Sequence, residues 1–179
     1  LLEAVAAVGK PIVLTVLAGS ALDLSWAQEH AQIRAILDCW YPGARGGKAI
    51  AEALFGEFSP CGKLPVTFYE GTEFLPDFTD YSMAGRTYRY TDRHVLYPFG
   101  YGLSYTTFAY SNLEISNENP TEKDTVTVSV DVTNTGDIAG KEIVQLYVKD
   151  CTNSTIRPEK ELKNFEKIAL EPGETKTVI

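Results

Sequence analysis

The chain has 179 residues and a formal net charge of -8. That balance repels phosphate backbones and anionic lipid, so no nucleic acid or membrane partner is expected, while neutral sugars stay open. Its apolar fraction of 44% is ample for a core and its 22% of charged residues is ordinary for a soluble surface, at a length that admits one domain or two small ones. The longest apolar run, residues 11–19, is far too short to span a bilayer. Cys39, Cys61 and Cys151 are odd in number and scattered, which argues against a disulfide framework and offers no metal spacing. Buried free thiols in a reducing compartment are the simpler expectation, and favour a cytoplasmic setting. The first residues, Leu1-Leu2-Glu3-Ala4-Val5, do not form a signal peptide, and a chain running from Leu1 to Ile179 reads as an excerpt.

In chain order, residues 11–17 form a continuous apolar run rich in β-branched residues, as expected for a strand covered on both faces. Gly19-Ser20 breaks it. Ser25 followed by Gln28 is a capping-box pattern, and Trp26, Ile33, Ile36, Leu37 and Trp40 recur at helical spacing, which predicts one helix ended by Tyr41-Pro42-Gly43. A second helix is expected from about residue 46 to 55, with Ala49, Ile50, Ala53 and Leu54 on one side and Gly56 beyond its end. Residues 63–68 then read as a strand placed near an edge by Pro65. Strand, helix, helix and strand suggest part of an α/β layered sheet.

No clear period follows between Tyr69 and about Thr107. Within that stretch, residues 96–108 carry five aromatic rings, two glycines and a proline with no charge. Rings are costly to expose, while Gly and Pro resist regular structure, so an ordered connector buried against something larger is expected. From Phe108 the texture changes. Val126, Val128, Val130 and Val132 alternate with polar residues, Asn134-Thr135-Gly136-Asp137 makes a turn, and residues 143–148 form the next strand. Leu162, Phe165, Ile168 and Leu170, the Pro172-Gly173 turn and residues 175–179 complete the pattern of an antiparallel β-sandwich.

Each candidate for chemistry has a competing structural explanation. Gly43-Ala44-Arg45-Gly46-Gly47-Lys48 precedes a helix, but the glycines are too close and Ala49 stands where a phosphate loop needs Ser or Thr; close packing of loop and helix is favoured. A nucleophilic Ser20 or Cys61 would need His30 or His94 as base, and the glycine-Ser-glycine elbow is missing. Glycoside cleavage needs two carboxylates flanking one bond; Glu29, Glu70, Glu73, Asp77, Asp80 and Asp92 lie ahead of the sandwich, each best explained as a solvated surface group. Arg86 and Arg89 with Tyr81, Tyr88 and Tyr90 could form a sugar platform, or an arginine–tyrosine network that fixes the connector. Asn153-Ser154-Thr155 fits a glycosylation acceptor.

Several segments in one order resemble the C-terminal part of glycoside hydrolase family 3. They are Pro11-Ile12-Val13-Leu14 through Gly19-Ser20, Trp40-Tyr41-Pro42-Gly43-Ala44-Arg45-Gly46-Gly47-Lys48-Ala49-Ile50-Ala51, Leu54-Phe55-Gly56, and residues 59–68. Arg86-Thr87-Tyr88-Arg89-Tyr90, the aromatic connector, Val132-Thr133-Asn134-Thr135-Gly136, Gln145-Leu146-Tyr147-Val148, Leu162-Lys163-Asn164-Phe165 and Pro172-Gly173-Glu174 continue the match. The wording around Tyr81-Ser82-Met83 is similar to the bacterial β-glucosidase and β-xylosidase branches.

The resemblance implies an α/β plus all-β fold. Residues 1–70 would be the C-terminal part of an α/β sandwich domain, 71–109 an ordered aromatic connector, and 110–179 a truncated fibronectin type III-like β-sandwich. In such enzymes a barrel Asp forms a glycosyl-enzyme and a Glu then activates water, with retention of configuration. The family pattern puts both ahead of this chain: the barrel with its Asp, and the Glu upstream of the Pro11 strand. No catalytic, cofactor-binding or metal-binding residue is therefore assigned. The resemblance implies β-linked gluco- or xylo-oligosaccharides and an N-terminal barrel domain as partners, no metal or organic cofactor, and no turnover by this chain alone. A non-catalytic carbohydrate-binding or bracing β-sandwich is the alternative. The isolated chain is expected to be poorly soluble or loosened, because edges and apolar faces of both parts lie open.

Overall fold

The computed structural model describes residues 1–91, 95–151 and 157–179. Its described residues form two compact units, one from Leu1–Phe55, Leu64–Tyr101 and Lys149–Glu161, the other from Gly56–Lys63, Gly102–Val148 and Leu162–Ile179.

In the first unit a short helix α1 (Leu2–Ala6) precedes β1 (Ile12–Val16), followed by α2 (Ser25–Glu29), β2 (Ile33–Asp38) and α3 (Gly46–Leu54). β1 and β2 pair in parallel, with Leu14 opposite Ile36 and Val16 opposite Asp38. The single helix expected through Trp40 is thus a helix followed by a strand. The spacing of Ile33, Ile36, Leu37 and Trp40 suits a helix, yet Ile33-Arg34-Ala35-Ile36-Leu37 is equally a short apolar strand run, which periodicity alone does not separate. Ser25 is not the N-cap either. It is the first helical residue, its N–H donates to Asp23 Oδ1 at 2.9 Å, and its hydroxyl donates to the Glu70 carbonyl at 3.1 Å. β1 is not fully covered, since Val13 is half exposed.

The strand expected over residues 63–68 reduces to a single bridge between Phe68 and Tyr97. Phe68 N–H donates to Tyr97 O at 2.9 Å, Leu64 N–H to Tyr101 O at 2.8 Å, and Gly100 N–H to Leu64 O at 2.7 Å. Pro65 has no N–H to extend a ladder between them. The connector rings order themselves by stacking: Tyr97 on Tyr101 (centroids 5.4 Å, 15°) and Tyr88 on Phe99 (4.1 Å, 13°). Its burial is partial, because Leu103 stays 73% exposed and Tyr105 49%.

The second unit holds β3 (Phe108–Ile115), β4 (Val128–Asn134), β5 (Gly140–Val148), most of β6 (Glu161–Leu170), and β7 (Thr175–Val178). They form one sheet of order β3-β4-β7, antiparallel throughout, and a second of β5-β6. Val132, Val144, Ile168 and Leu170 form the core, with Phe108, Val130 and Val178 against it. Of the alternating valines seen in sequence, Val130 and Val132 of β4 face the core, while Val126 lies before the strand and is exposed. Asn134, at the end of β4, is fully buried and fixes the turn that follows. Gly140 is required beside it, since a Cβ there would lie 2.5 Å from Thr106 Cγ2.

Candidate functional site

The phosphate-loop candidate is a packing device. Gly43 takes a φ of 72°, and a Cβ on Gly46 would lie 2.5 Å from Pro42 Cγ, so the glycines let the loop turn tightly into α3. Lys48 Nζ lies 3.3 Å from Glu52 on the helix surface. Of the two bases expected for a nucleophile, only His30 lies among the described residues, and it is engaged locally. His30 Nδ1 accepts the Gln32 N–H at 3.2 Å and its ring lies 4.4 Å from that of Trp26. His94, Asp92 and the acceptor Asn153-Ser154-Thr155 lie outside the described residues. Cys39, Cys61 and Cys151 are free thiols, and burial together with the Asp38 charge pushes the Cys39 thiol up.

The carboxyl ends of parallel strands are the usual place for a ligand crevice in open α/β sheets. Here β2 ends on Asp38, whose Oδ2 is buried without a hydrogen-bond partner among the described residues and whose Oδ1 accepts from the Trp40 N–H at 3.5 Å. Burial raises its carboxyl above the usual carboxylate range. Trp40 is held at a φ of 49°, a region bulky residues seldom enter. Tyr41 beyond it is 79% exposed, and its ring lies against Gly19, where a Cβ would come within 2.6 Å.

A more highly organised feature is the loop over residues 76–90. The Arg86 guanidinium donates to the carbonyls of Asp77 (2.6 Å), Asp80 (3.1 Å) and Pro76 (3.5 Å). Asp77 Oδ1 accepts from the Thr79 N–H and hydroxyl at 2.8 and 2.6 Å, and Asp80 Oδ1 from the Ser82 N–H at 2.9 Å. These bonds hold both carboxyls below their usual range. Met83, Gly85 and Thr87 all have positive φ, and the Thr87 N–H is held by the Tyr69 hydroxyl at 2.9 Å. The loop ends in α4 (Thr87–Tyr90).

Of the five residues proposed as a sugar platform, the structure uses the side chains of three, and the backbone of Tyr90, in scaffolding. Arg86 caps carbonyls, Tyr88 stacks on Phe99, Arg89 lies 5.9 Å over Tyr88 and 3.6 Å from Glu161, and the Tyr90 carbonyl accepts the Gly85 N–H. Tyr81 alone remains open, at 83%, together with Phe78 at 87%. Phe78 was not expected from sequence; its signal is the pair of rings flanking acidic and hydroxyl turn residues in Phe78-Thr79-Asp80-Tyr81. Among the carboxylates, Glu29, Glu73, Asp77 and Asp80 are exposed and Glu70 is half-buried. No group of three or more His, Cys, Asp or Glu converges on a possible metal among the described residues.

The β-sandwich unit contains a groove of about 430 Å³. Tyr110 and Phe165 border it, but Leu113, Val128, Val144 and Val178 supply aliphatic walls.

The chain matches two family models, "Glycosyl hydrolase family 3 C-terminal domain" over residues 1–105 and "Fibronectin type III-like domain" over residues 142–179. It is 45% identical to a periplasmic beta-glucosidase of Salmonella typhimurium, covering 99% of this chain and 25% of that protein. A xylan 1,4-beta-xylosidase of Xylanibacter ruminicola is 44% identical, over 98% of this chain and 20% of that protein. Among solved structures, a β-glucosidase of Erythrobacter marinus superposes with a TM-score of 0.84 at 41% identity, covering 99% of this chain and 23% of that one. The chain thus spans a quarter or less of the length of these relatives.

Proposed function

The chain belongs to glycoside hydrolase family 3, and on that premise we propose that it forms the C-terminal portion of a retaining, exo-acting β-glycosidase. The substrates proposed are terminal β-glucosyl or β-xylosyl residues of oligosaccharides. The observation that carries this is the ordered pair of family matches along a chain over 40% identical to a β-glucosidase and a β-xylosidase.

In this proposal the nucleophilic Asp belongs to a barrel domain and the acid/base Glu to the segment before β1, so the residues in hand position rather than react. No metal or organic cofactor takes part. The proposed organisation is an α/β sandwich portion to residue 70, a connector over 71–109 and a fibronectin type III-like portion over 110–179.

A chimera tests the proposal. This chain replaces the matching C-terminal part of the Salmonella enzyme, and hydrolysis of nitrophenyl β-glucoside and β-xyloside is measured. Turnover within about tenfold of the parent, a cost of about 1.4 kcal/mol in the barrier, supports the assignment, with none from the 179 residues alone. A correctly folded chimera without turnover refutes it.

One observation favours the second reading, a carbohydrate-binding sandwich: the exposed rings of Tyr110 and Phe165 border the groove. Its aliphatic walls leave sugar hydroxyls without partners, which weighs against it. Calorimetry of the whole chain with cello- and xylo-oligosaccharides, with and without Tyr110→Ala, separates the two.

A further inference from the structure

We propose that residues 56–63 are a strap that closes the β-sandwich unit: seated through Ser59 and Lys63, the segment locks the two sheets together, and its release loosens the sandwich while the α/β unit stays folded. The proposal stands without the glycosidase reading.

Residues 56–63 pack with the β-sandwich unit, although Phe55 before them and Leu64 after them belong to the α/β unit. Gly56, at a φ of 78°, turns the chain out of α3, and from there to Lys63 it forms neither helix nor strand. Fixing such a segment costs conformational entropy at every residue, which its contacts must offset. Two sets of contacts do so. At one end the Ser59 hydroxyl lies 2.7 Å from the Ser104 hydroxyl and accepts the Tyr105 N–H at 2.9 Å. Ser104 Oγ also accepts the Thr106 N–H at 3.3 Å, and the Thr106 hydroxyl donates to Asn134 Oδ1 at 2.6 Å. A continuous polar chain thus joins the strap to the buried residue that ends β4. At the other end Lys63 Nζ donates to Gly102 O at 2.9 Å and pairs with Glu142 at 3.2 Å. Gly62 runs so close to Gly102 that a Cβ on Gly102 would lie 2.0 Å from the Gly62 carbonyl oxygen.

The Lys63 contact is the one that spans the sheets. Glu142 belongs to β5, and the Tyr110 hydroxyl that donates to it belongs to β3, in the other sheet. Glu142 is buried. A buried carboxylate needs a neutralising charge, and losing that charge costs far more than losing a surface pair. With the strap seated, Lys63 supplies the charge and the Tyr110–Glu142 bond crosses from sheet to sheet. With the strap released, the carboxylate is left with the Tyr110 hydroxyl in a site closed to water. Hydrating it then requires the two sheets to part.

Native-state hydrogen exchange of the full 179-residue chain, resolved by peptide mass spectrometry, tests this with Lys63→Met, Gly102→Ala and Ser59→Ala. Gly102→Ala acts as a wedge: it keeps every charge and drives the Gly62 backbone away. Amides of β3, β4 and β5 are expected to exchange about a hundredfold faster in Lys63→Met and about tenfold faster in Gly102→Ala. Ser59→Ala, which removes one clasp, should speed them about fivefold. Amides of β1, β2 and α3 keep the rates of the unsubstituted chain. Faster exchange confined to residues 56–63 overturns the proposal, because the strap then rides on a sandwich that holds itself. Equal acceleration in both units, total unfolding included, overturns it as well, since the substitutions then act on global stability. Unchanged rates do the same, as does a β-sandwich that shows no protection in the unsubstituted chain.

Discussion

Asn134 is fully buried, yet all its polar groups are satisfied. Its Nδ2 donates to Ile138 O at 2.8 Å and Leu170 O at 3.1 Å, while Oδ1 accepts from the Thr106 hydroxyl at 2.6 Å and the Gly136 N–H at 3.1 Å. Its backbone bonds Glu174 O and Gly173 N–H at 3.0 and 2.9 Å. Asn134→Leu keeps the branching of the side chain but strands those partners, so a loss of about 3 kcal/mol is expected, read as a lower urea midpoint. Asp38 is the opposite case, a half-buried carboxyl whose Oδ2 has no partner among the described residues. Burial raises its folded-state pKa above that of a free carboxyl. The unfolded chain therefore ionises first, and a destabilising contribution grows as pH rises from about 4 through the folded pKa. Asp38→Asn should raise the melting temperature at pH 7 and lose that advantage near pH 3. An equal effect at both values would show that charge is not the cause.

At the scale of elements, sequence revealed most where one face is buried and the other wet. The alternating valines around β4 and the turn at Asn134 were legible because a period of two has no helical equivalent. β2 was not, because its apolar run satisfies a helical period as well as a strand. The ring stacks of the connector could be foreseen as a need for burial but not as partners. Nor could the pairing of Lys63 with Glu142, which only the fold brings together. Lys63 Nζ lies 3.2 Å from Glu142 Oε1 and donates to Gly102 O at 2.9 Å, and the Tyr110 hydroxyl donates to the same carboxylate at 3.0 Å. Both charged side chains are largely buried, at 17% and 11% exposure. Burial and the carboxylate charge push the Tyr110 hydroxyl's ionisation upward. Lys63→Met leaves Glu142 buried with a single neutral donor and should cost about 3 kcal/mol, while Lys63→Met with Glu142→Leu should cost less than the two singles summed. Additive losses in denaturant unfolding would mean the two charges are not coupled. The candidate site was half legible: Tyr81 and the arginines drew notice by type, but which of them the loop consumes depends on carbonyl positions no sequence displays.

For the molecule as a whole, both units leave large apolar side chains uncovered, and the proposed place of the chain in a longer enzyme would account for them. In the α/β unit Leu17 and Phe55 are exposed along with half of Val13; in the β-sandwich unit Leu113, Phe165 and Ile179 line an open groove. Apolar surface of this kind recruits hydrophobic dyes and weakens cooperativity, because fewer buried contacts hold each unit together. The 179-residue chain should therefore bind anilinonaphthalene sulfonate at neutral pH and melt over a broad range. The chimera, with the same residues set in a family 3 enzyme, should bind little dye and melt sharply. Side-chain order is the discriminating signal: near-ultraviolet circular dichroism should be weaker in the chain alone while far-ultraviolet intensity per residue persists. A narrow, dye-free transition in the isolated chain would mean that it is self-sufficient, and that its exposed apolar residues belong to a surface used for something other than packing within the enzyme.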